Sequence, residues 1–532
     1  MKKFLKSLII LLITAFTIFG FFACNSTDDK KSGNTLTVGM ECGYDPFNFT
    51  QAYVGEGSVK ISNADGYANG YDVMIAKRVA EALGRDLVVV KYDWDALIPA
   101  VQTGVLDFII AGMSPTAERS ASIDFSDAYY ESQLVIVVRK DGKFADAQTL
   151  SDFNGATIVA QNGTFHDKAL EREAAANGIS RYTPLGTFPE MINALNTKVV
   201  DGYVAEEPGA IADCSKNANF TYIHLVNNHT GFTASKEDVQ VAVGLKKGSE
   251  LTKQVNEVLA QIDAETRLEM MQKANEYSAE KNNGGLFKII ATYYSWIFKG
   301  IGYTLLVSLI GTVIGLLIGF LVGIYRTMPK PKNRFLCWIK KMGDWILNAY
   351  VEIFRGTPMM VQALVIFWGF ALLNNGRTLN VIFSGLLIVS VNTGAYMAEI
   401  VRGGIISVDK GQFEGAHAIG MTHGQTMLNV VLPQVFRNIL PSVANEFVIN
   451  IKDTSVLNVI GFTELFFQAK TIVSATADTF VTYLLIAAIY FVLTFTVTRL
   501  LRLLEKKMDG KKNYTVFGSQ SDFEAEIHVR ED

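Results

Sequence analysis

Residues 300–325, GIGYTLLVSLIGTVIGLLIGFLVGIY, contain no charged side chain. A helix of about 20 predominantly apolar residues crosses the hydrocarbon core of a bilayer, so this run reads as a membrane span. Further apolar segments at about 348–374, 378–400, 437–461 and 479–501 bring the expected number of spans to five. The fourth is interrupted by Glu446, Lys452 and Asp453, and polar groups inside a span face a bundle interior or a cavity. A four-span domain with one interfacial segment is the alternative. Basic residues separate the two. Arg326, Lys330, Lys332, Arg334, Lys340 and Lys341 follow the first span, and Arg499, Arg502, Lys506 and Lys507 follow the last. Both clusters belong in the cytoplasm by the positive-inside rule, which an odd number of spans permits and an even number does not. The short loop NNGRT then lies outside, and the polar stretch from Arg402 through Pro433 lies inside.

The other half of the chain has a different composition. With 532 residues, 49% hydrophobic and 19% charged, the sequence suits a soluble unit joined to a membrane unit. A net charge of −4 points to no nucleic-acid partner. The four cysteines, Cys24, Cys42, Cys214 and Cys337, are far apart, so neither a metal site nor a disulfide framework is expected; a Cys42–Cys214 bridge is the alternative. Lys2, Lys3 and Lys6, an apolar run from Leu8 to Phe22, and Ala23-Cys24 have the form of an export signal. Residues 1–24 are therefore read as signal or lipoprotein segment and 25–34 as a tether.

Residues 35–280 alternate strand and helix patterns. TLTVGM, DLVVVKY, LDFIIAGM, ATIVAQNG and VVDGYVAEE read as strands, while YDVMIAKRVAEALG and DALIPAVQTG read as helices. The alternation predicts an α/β unit with largely parallel sheets. Two such blocks flank the strand-like LVIVVRK, which predicts two lobes around a cleft, with ligand bound at the strand ends. Residues 281–299 are expected to be a linker, 300–502 the membrane domain, and 503–532 a cytoplasmic tail.

GYDPFNF, NGYDVMIAKRVAEALG, AGMSPTAERSASIDFSDAYYES and VVDGYVAEEPGA together resemble the type-3 periplasmic binding proteins for polar amino acids. The resemblance covers nearly all of 35–280 and implies a two-lobed, type II periplasmic-binding-protein-like fold that closes on one amino acid. A free amino acid presents a carboxylate, which a planar guanidinium matches with two donors, and an ammonium, which needs acceptors. By resemblance Arg119 clamps the carboxylate, with Thr116 and Thr164 adding donors. Glu206, Ser114 and the carbonyl of Gly112 receive the ammonium. Glu206 stands where the family usually has aspartate, and Glu207 is its rival. Glu41, Tyr44 and Trp94 face the ligand side chain, where an acid between aromatics favours a cation; glutamine binders of the family also place an acid and aromatics there. FFAC resembles a lipobox, with Phe21 where an aliphatic residue is usual.

The stretch EGAHAIGMTHGQTMLNVVLP resembles the EAA motif of ABC importer permeases. The matching residues are Glu414, Gly415, Ala416, Gly420, Val430, Leu432 and Pro433, with Gly415 replacing the usual alanine. FRGTPMMVQ at 354–362 and KDTSVL at 452–457 resemble the amino-acid subgroup of these permeases. The resemblance implies an all-α five-helix ABC type-1 transmembrane domain whose coupling loop, 403–433, docks on an ATPase subunit. No G-x-x-x-x-G-K-[ST] loop is present, so ATP and Mg are expected on a separate ATPase, and no cofactor or catalytic residue in this chain. His417 and His423 lack companion ligands for a metal. Glu446 and Glu399 are candidates for the membrane pathway, with Arg402 a structural partner for Glu399.

Together these features predict the receptor and permease subunit of an ATP-driven amino-acid importer in a bacterial cytoplasmic membrane. It would assemble as a homodimer with two ATPases. Arginine or lysine is the expected substrate, and glutamine the alternative. An amino-acid-gated channel or a sensor is the rival of another class. A channel would interrupt the binding domain with its pore, whereas 35–280 is continuous, and no signalling domain follows residue 502.

Overall fold

The computed structural model describes residues 34–279, 285–374 and 376–509. The signal segment with Cys24, the tether through residue 33, and the tail beyond 509 lie outside the described residues.

The first lobe is built on a five-stranded sheet. Thr35–Met40 pairs in parallel with Asp86–Lys91 and with Phe108–Ile109. Gln240–Leu245 runs antiparallel to Phe108–Ile109 and to Asp124–Glu131. The second lobe repeats the plan. Thr157–Val159 is parallel to Ser180–Arg181 and Gly202–Glu206, while Leu134–Arg139 runs antiparallel to Gly202–Glu206 and Phe220–Ile223. The sheets are largely parallel, as expected: in each, four strands share one direction and a single strand, Gln240–Leu245 in the first lobe and Leu134–Arg139 in the second, runs against them. The cause of the reversal is topological. The chain crosses between lobes at Ser132–Gln133 and again before Gln240, and a strand entering from the other lobe meets the parallel set head-on. A four-stranded antiparallel sheet, Gly43–Tyr44, Asn48–Gln51, Val59–Lys60 and Tyr67–Asn69, flanks the first lobe. Cys42 and Cys214 are free thiols, so the alternative bridge does not form.

In the membrane half the first helix runs unbroken from Leu286 to Thr327. The expected linker 281–299 is therefore corrected: from Leu286 onward it forms the opening turns of the first span. Ile289, Tyr293, Trp296, Ile297 and Gly300 recur at three- and four-residue spacing and are buried on one face. Below them, Gly311, Gly315, Gly319 and Gly323 form a ladder. A Cβ added at each would lie 2.5 Å from Val389, 2.8 Å from Thr393, 2.4 Å from Met397 and 2.8 Å from Val401, respectively. Those partners share the helix Val381–Ile406. Small residues every fourth position let two backbones approach closely, which is how helices associate where lipid offers no hydrophobic drive.

The expected second span, 348–374, is not one helix. Arg334–Gly356 and Met359–Leu373 meet at 113° around Thr357-Pro358. Proline lacks the donor an α-turn needs and disfavours helical backbone in the residue before it. The freed carbonyls of Phe354 and Thr357 accept from Gln362 Nε2, both at 3.0 Å. The fourth span, Leu432–Asp453, continues through a tight turn at Thr454–Ile460 to a further helix, Leu465–Thr476, bent by 55° from it. The last helix is Thr479–Asp509. Among the described residues three helices are each long and apolar enough to cross a bilayer, and the number reaches five when each bent pair counts as one span. Gly403–Ile406 completes the third of these, so the coupling loop starts at Ser407 rather than 403.

Gly319→Leu should disrupt the membrane half, because overpacking costs about 1–3 kcal/mol even where a neighbour can shift. Gly302→Leu, on the same helix with nothing within 4 Å of the added Cβ, should be tolerated. Thermal unfolding in detergent checks this; equal stability of the two variants would refute close packing at the ladder.

Candidate functional site: a closed cleft between the lobes

Arg119 lies in the short helical turn Ala117–Ser120, which Thr116 caps by accepting from the Arg119 N–H. Its guanidinium lies over the Trp94 ring, 5.1 Å from the centroid. One terminal nitrogen donates to the Ser114 carbonyl at 3.0 Å, and the other crosses the cleft to the Gly163 carbonyl at 3.1 Å. Trp94 Nε1 donates to the same carbonyl at 3.3 Å. Burial pulls the Arg119 pKa down to about 10, with Glu206 opposing, so the group stays cationic at neutral pH.

At the other end of the cleft Glu41 is buried. Gln161 Nε2 reaches its two oxygens at 3.4 and 3.3 Å and donates to the Gly186 carbonyl at 3.0 Å. Burial pushes the Glu41 carboxyl up to about 7, against the opposing Gln161 hydrogen bond. Tyr44 stacks on Phe188 at 4.3 Å and Phe47 at 5.0 Å, and its hydroxyl donates to the Glu206 carboxylate. His166 Nε2 stands 3.5 Å from the other Glu206 oxygen, and neither ring nitrogen makes a hydrogen bond. Thr164 caps the helix Phe165–Ala174 and donates to the Gln161 carbonyl at 2.6 Å. Glu207 turns away to His224, at 3.0 Å, which leaves Glu206 as the acid on the cleft side.

Of the residues expected from sequence, Glu41, Tyr44, Trp94, Gly112, Ser114, Arg119 and Thr164 line one cavity. Glu206 stands behind Tyr44 and His166, and Thr116 acts through its cap rather than as lining. Gln161, Phe165, His166 and Phe188 line the cavity too and were not anticipated. Thr187 and Glu190 form a capping box that marks the start of the helix carrying Phe188, but not its place in the pocket. Gly112 sits at φ +63, and a Cβ there would lie 3.0 Å from the Tyr44 ring.

In the expected coupling segment, Lys410–Ala418 is a helix with Glu414 and Gly415 exposed and Ala416 buried beneath. Gly420 follows at φ +83 and turns the chain toward His423–Thr426 and a π-turn at Met427–Val431, after which Leu432 and Pro433 open the next helix. Glu399 is paired with Arg326 and, at 2.7 Å, with Arg402. Glu446 is half-buried on Leu432–Asp453. Among the described residues no three His, Cys, Asp or Glu side chains group as metal ligands.

Residues 36–275 match the bacterial extracellular solute-binding proteins, family 3, and residues 315–510 match the binding-protein-dependent transport system inner membrane components. The L-cystine transport system permease protein TcyB of Bacillus subtilis is 40% identical over 166 residues, 31% of this chain and 70% of that protein. The probable glutamine ABC transporter permease protein GlnM of the same organism is 32% identical over 222 residues, 42% of this chain and 97% of that protein. An amino acid ABC transporter substrate-binding protein from Streptococcus pneumoniae, solved with L-arginine, is 26% identical with a TM-score of 0.40, covering 46% of this chain and 95% of that one.

Gly112→Ala should lower the unfolding temperature of the binding unit more than Gly84→Ala. Both positions have positive φ, which costs a side chain about 1–2 kcal/mol, but Gly84 has nothing within 4 Å of the added Cβ. Equal losses would show that Tyr44 does not depend on the glycine.

Proposed function

The chain belongs to the inner-membrane permease components of amino-acid ABC importers, with a family 3 solute-binding domain joined to it, and on that premise we propose that its substrate is a basic amino acid, arginine or lysine. The observation that carries this reading is Glu41. Arg119 offers donors for the α-carboxylate, and Glu206 is the acid nearest the ammonium end. Glu41 remains, buried at the far end with an amide as its cleft-side donor. A buried carboxylate gains most from a partner that carries charge, and a cationic side chain supplies one. Glutamine is the second reading, favoured by the glutamine permeases among the relatives and by Gln161, which could share an amide with the ligand.

The exposed helix Lys410–Ala418, closed by the Gly420 turn, supports a docking role for Glu414, Gly415, Ala416 and Gly420 on a separate ATPase that binds ATP and Mg. One permease half per chain supports a homodimer with two such ATPases. The basic clusters flanking the first and last spans support an orientation with the binding domain outside and the coupling segment inside. Glu446 is the acid that best fits a membrane pathway, since Glu399 is already paired.

Calorimetric titration of the full chain should show arginine or lysine binding at least tenfold tighter than glutamine, about 1.4 kcal/mol. Glu41→Gln should narrow or invert that gap; tighter wild-type binding of glutamine would select the second reading. Glu41 is largely neutral below its value of about 7 and ionised above it. Affinity for the cations should therefore rise from about pH 6 to about pH 8 while glutamine affinity stays level. A flat profile for the cations would remove Glu41 from the side-chain site. Gly420→Pro cannot adopt the left-handed turn and should abolish uptake into vesicles with ligand binding intact; persisting uptake would refute the coupling assignment.

A further inference from the structure

The helix Leu465–Thr476 belongs to the membrane half but lies along the first lobe of the receptor. Its N-terminus is capped by Glu464, which accepts from the N–H groups of Phe466 and Phe467 at 2.7 and 2.6 Å. Four polar contacts join the two halves near it. Gln468 and Lys299 both donate to Asp65, at 2.8 and 2.9 Å. Lys470 Nζ reaches Asp93 Oδ2 at 2.7 Å, and Lys91 Nζ donates to Ser474 Oγ at 2.9 Å. Lys470 and Ser474 are four residues apart, hence on one helical face, and both meet the 91–93 corner.

That corner is part of the ligand pocket's frame. Lys91 ends the strand Asp86–Lys91, and Asp93 is the N-cap residue of the helix that begins with Trp94, a pocket wall. Met40 is the registered partner of Lys91, and Tyr92 N donates to the Met40 carbonyl at 3.0 Å. Glu41, the next residue, thus leaves the same sheet end as the corner. Asp93, then Lys91, then Lys470 act by charge on Glu41. Two of these come from the receptor. The third is delivered by the membrane half only while the receptor is docked.

We propose that Lys470 is an affinity-setting residue outside the pocket: when the receptor docks, Lys470 places a positive charge at the Glu41 end of the cleft and weakens the hold on a cationic side chain. Undocked, the corner holds Lys91 against Asp93 and Glu41. Docked, it holds a second lysine, and a cationic ligand becomes a third cation facing the same two carboxylates. The effect favours release at the membrane surface. It rests on the basic-substrate reading and acts on the ligand's side-chain charge, not on its backbone clamp.

The test uses the full chain in lipid nanodiscs, with Lys470→Met and Lys470→Arg beside wild type, titrated with L-arginine, L-lysine and L-glutamine. Partly exposed ion pairs contribute up to about 1 kcal/mol, so Lys470→Met should bind both cations about three- to fivefold tighter. Glutamine affinity should stay within about twofold, since a neutral side chain gains little from the lost charge. Lys470→Arg should match wild type. Unchanged or weaker cation binding by Lys470→Met overturns the proposal. So does an equal tightening for all three ligands, which would mean that the residue restrains lobe movement rather than acting by charge. Failure of the substrate reading is separate: it appears in wild type itself, as glutamine binding without binding of either cation.

Discussion

The membrane half depends on one close approach, that of helix Leu286–Thr327 to helix Val381–Ile406. Lipid chains solvate leucine as well as another helix does, so association rests on packing and polar contact. The four-residue ladder Gly311, Gly315, Gly319 and Gly323 supplies the packing by removing every side chain from the contact line. Polar contact is added beside it. Asn450 donates to Thr312 Oγ1 at 2.8 Å and Thr393 Oγ1 at 3.0 Å, tying the fourth span to both helices of the pair. The same first helix rises beyond this contact to place Tyr293 and Trp296 against Leu465, Ala469 and Ile472, so its position also fixes the helix on which the receptor rests.

Several charged and polar groups in the membrane half are satisfied by other groups of the bundle. Glu399 holds Arg326 and Arg402 across two helices. Asn392 donates to Gln362 Oε1 at 3.0 Å, and Gln362 in turn serves the carbonyls left free by the break at Pro358. The break is therefore a stable feature and not a defect. Backbone polar groups at membrane depth are tolerated where protein side chains replace the lost hydrogen bonds.

The architecture was legible wherever a local pattern decided it. Strand–helix alternation in 35–280 and the uncharged run at 300–325 each specify an element without reference to distant residues. Reading failed where distant contacts decide. Gln161, His166 and Phe188 enter the pocket from the second lobe only because the lobes close on Glu41, Tyr44 and Trp94 of the first, and no local period encodes that. The antiparallel entry of Gln240–Leu245 is likewise set by the second crossover, not by its own sequence. Two misses had local signals. Thr357-Pro358 announces the break in the second span, and the spacing of Ile289, Tyr293 and Trp296 announces that the helix starts well before the apolar run.

The receptor is held to the membrane half through both of its lobes. The first lobe is fixed through Asp65, Lys91 and Asp93. The second is fixed where Thr479 Oγ1 donates to the Pro189 carbonyl at 3.0 Å, at the start of the helix that carries Phe188 into the pocket. Across the cleft the lobes are joined by Tyr44–Glu206, Gln161–Glu41 and the Gly163 carbonyl shared by Arg119 and Trp94. These two sets of bonds share no atom pairs, but they share rigid elements. Opening the cleft separates the lobes, so it must break a membrane contact or move the helices that make it. The dock helix Leu465–Thr476 and the last helix, beginning at Thr479, meet different lobes and are joined by only Ala477 and Asp478. A change in the angle between the lobes is thereby a change at the junction of two membrane helices.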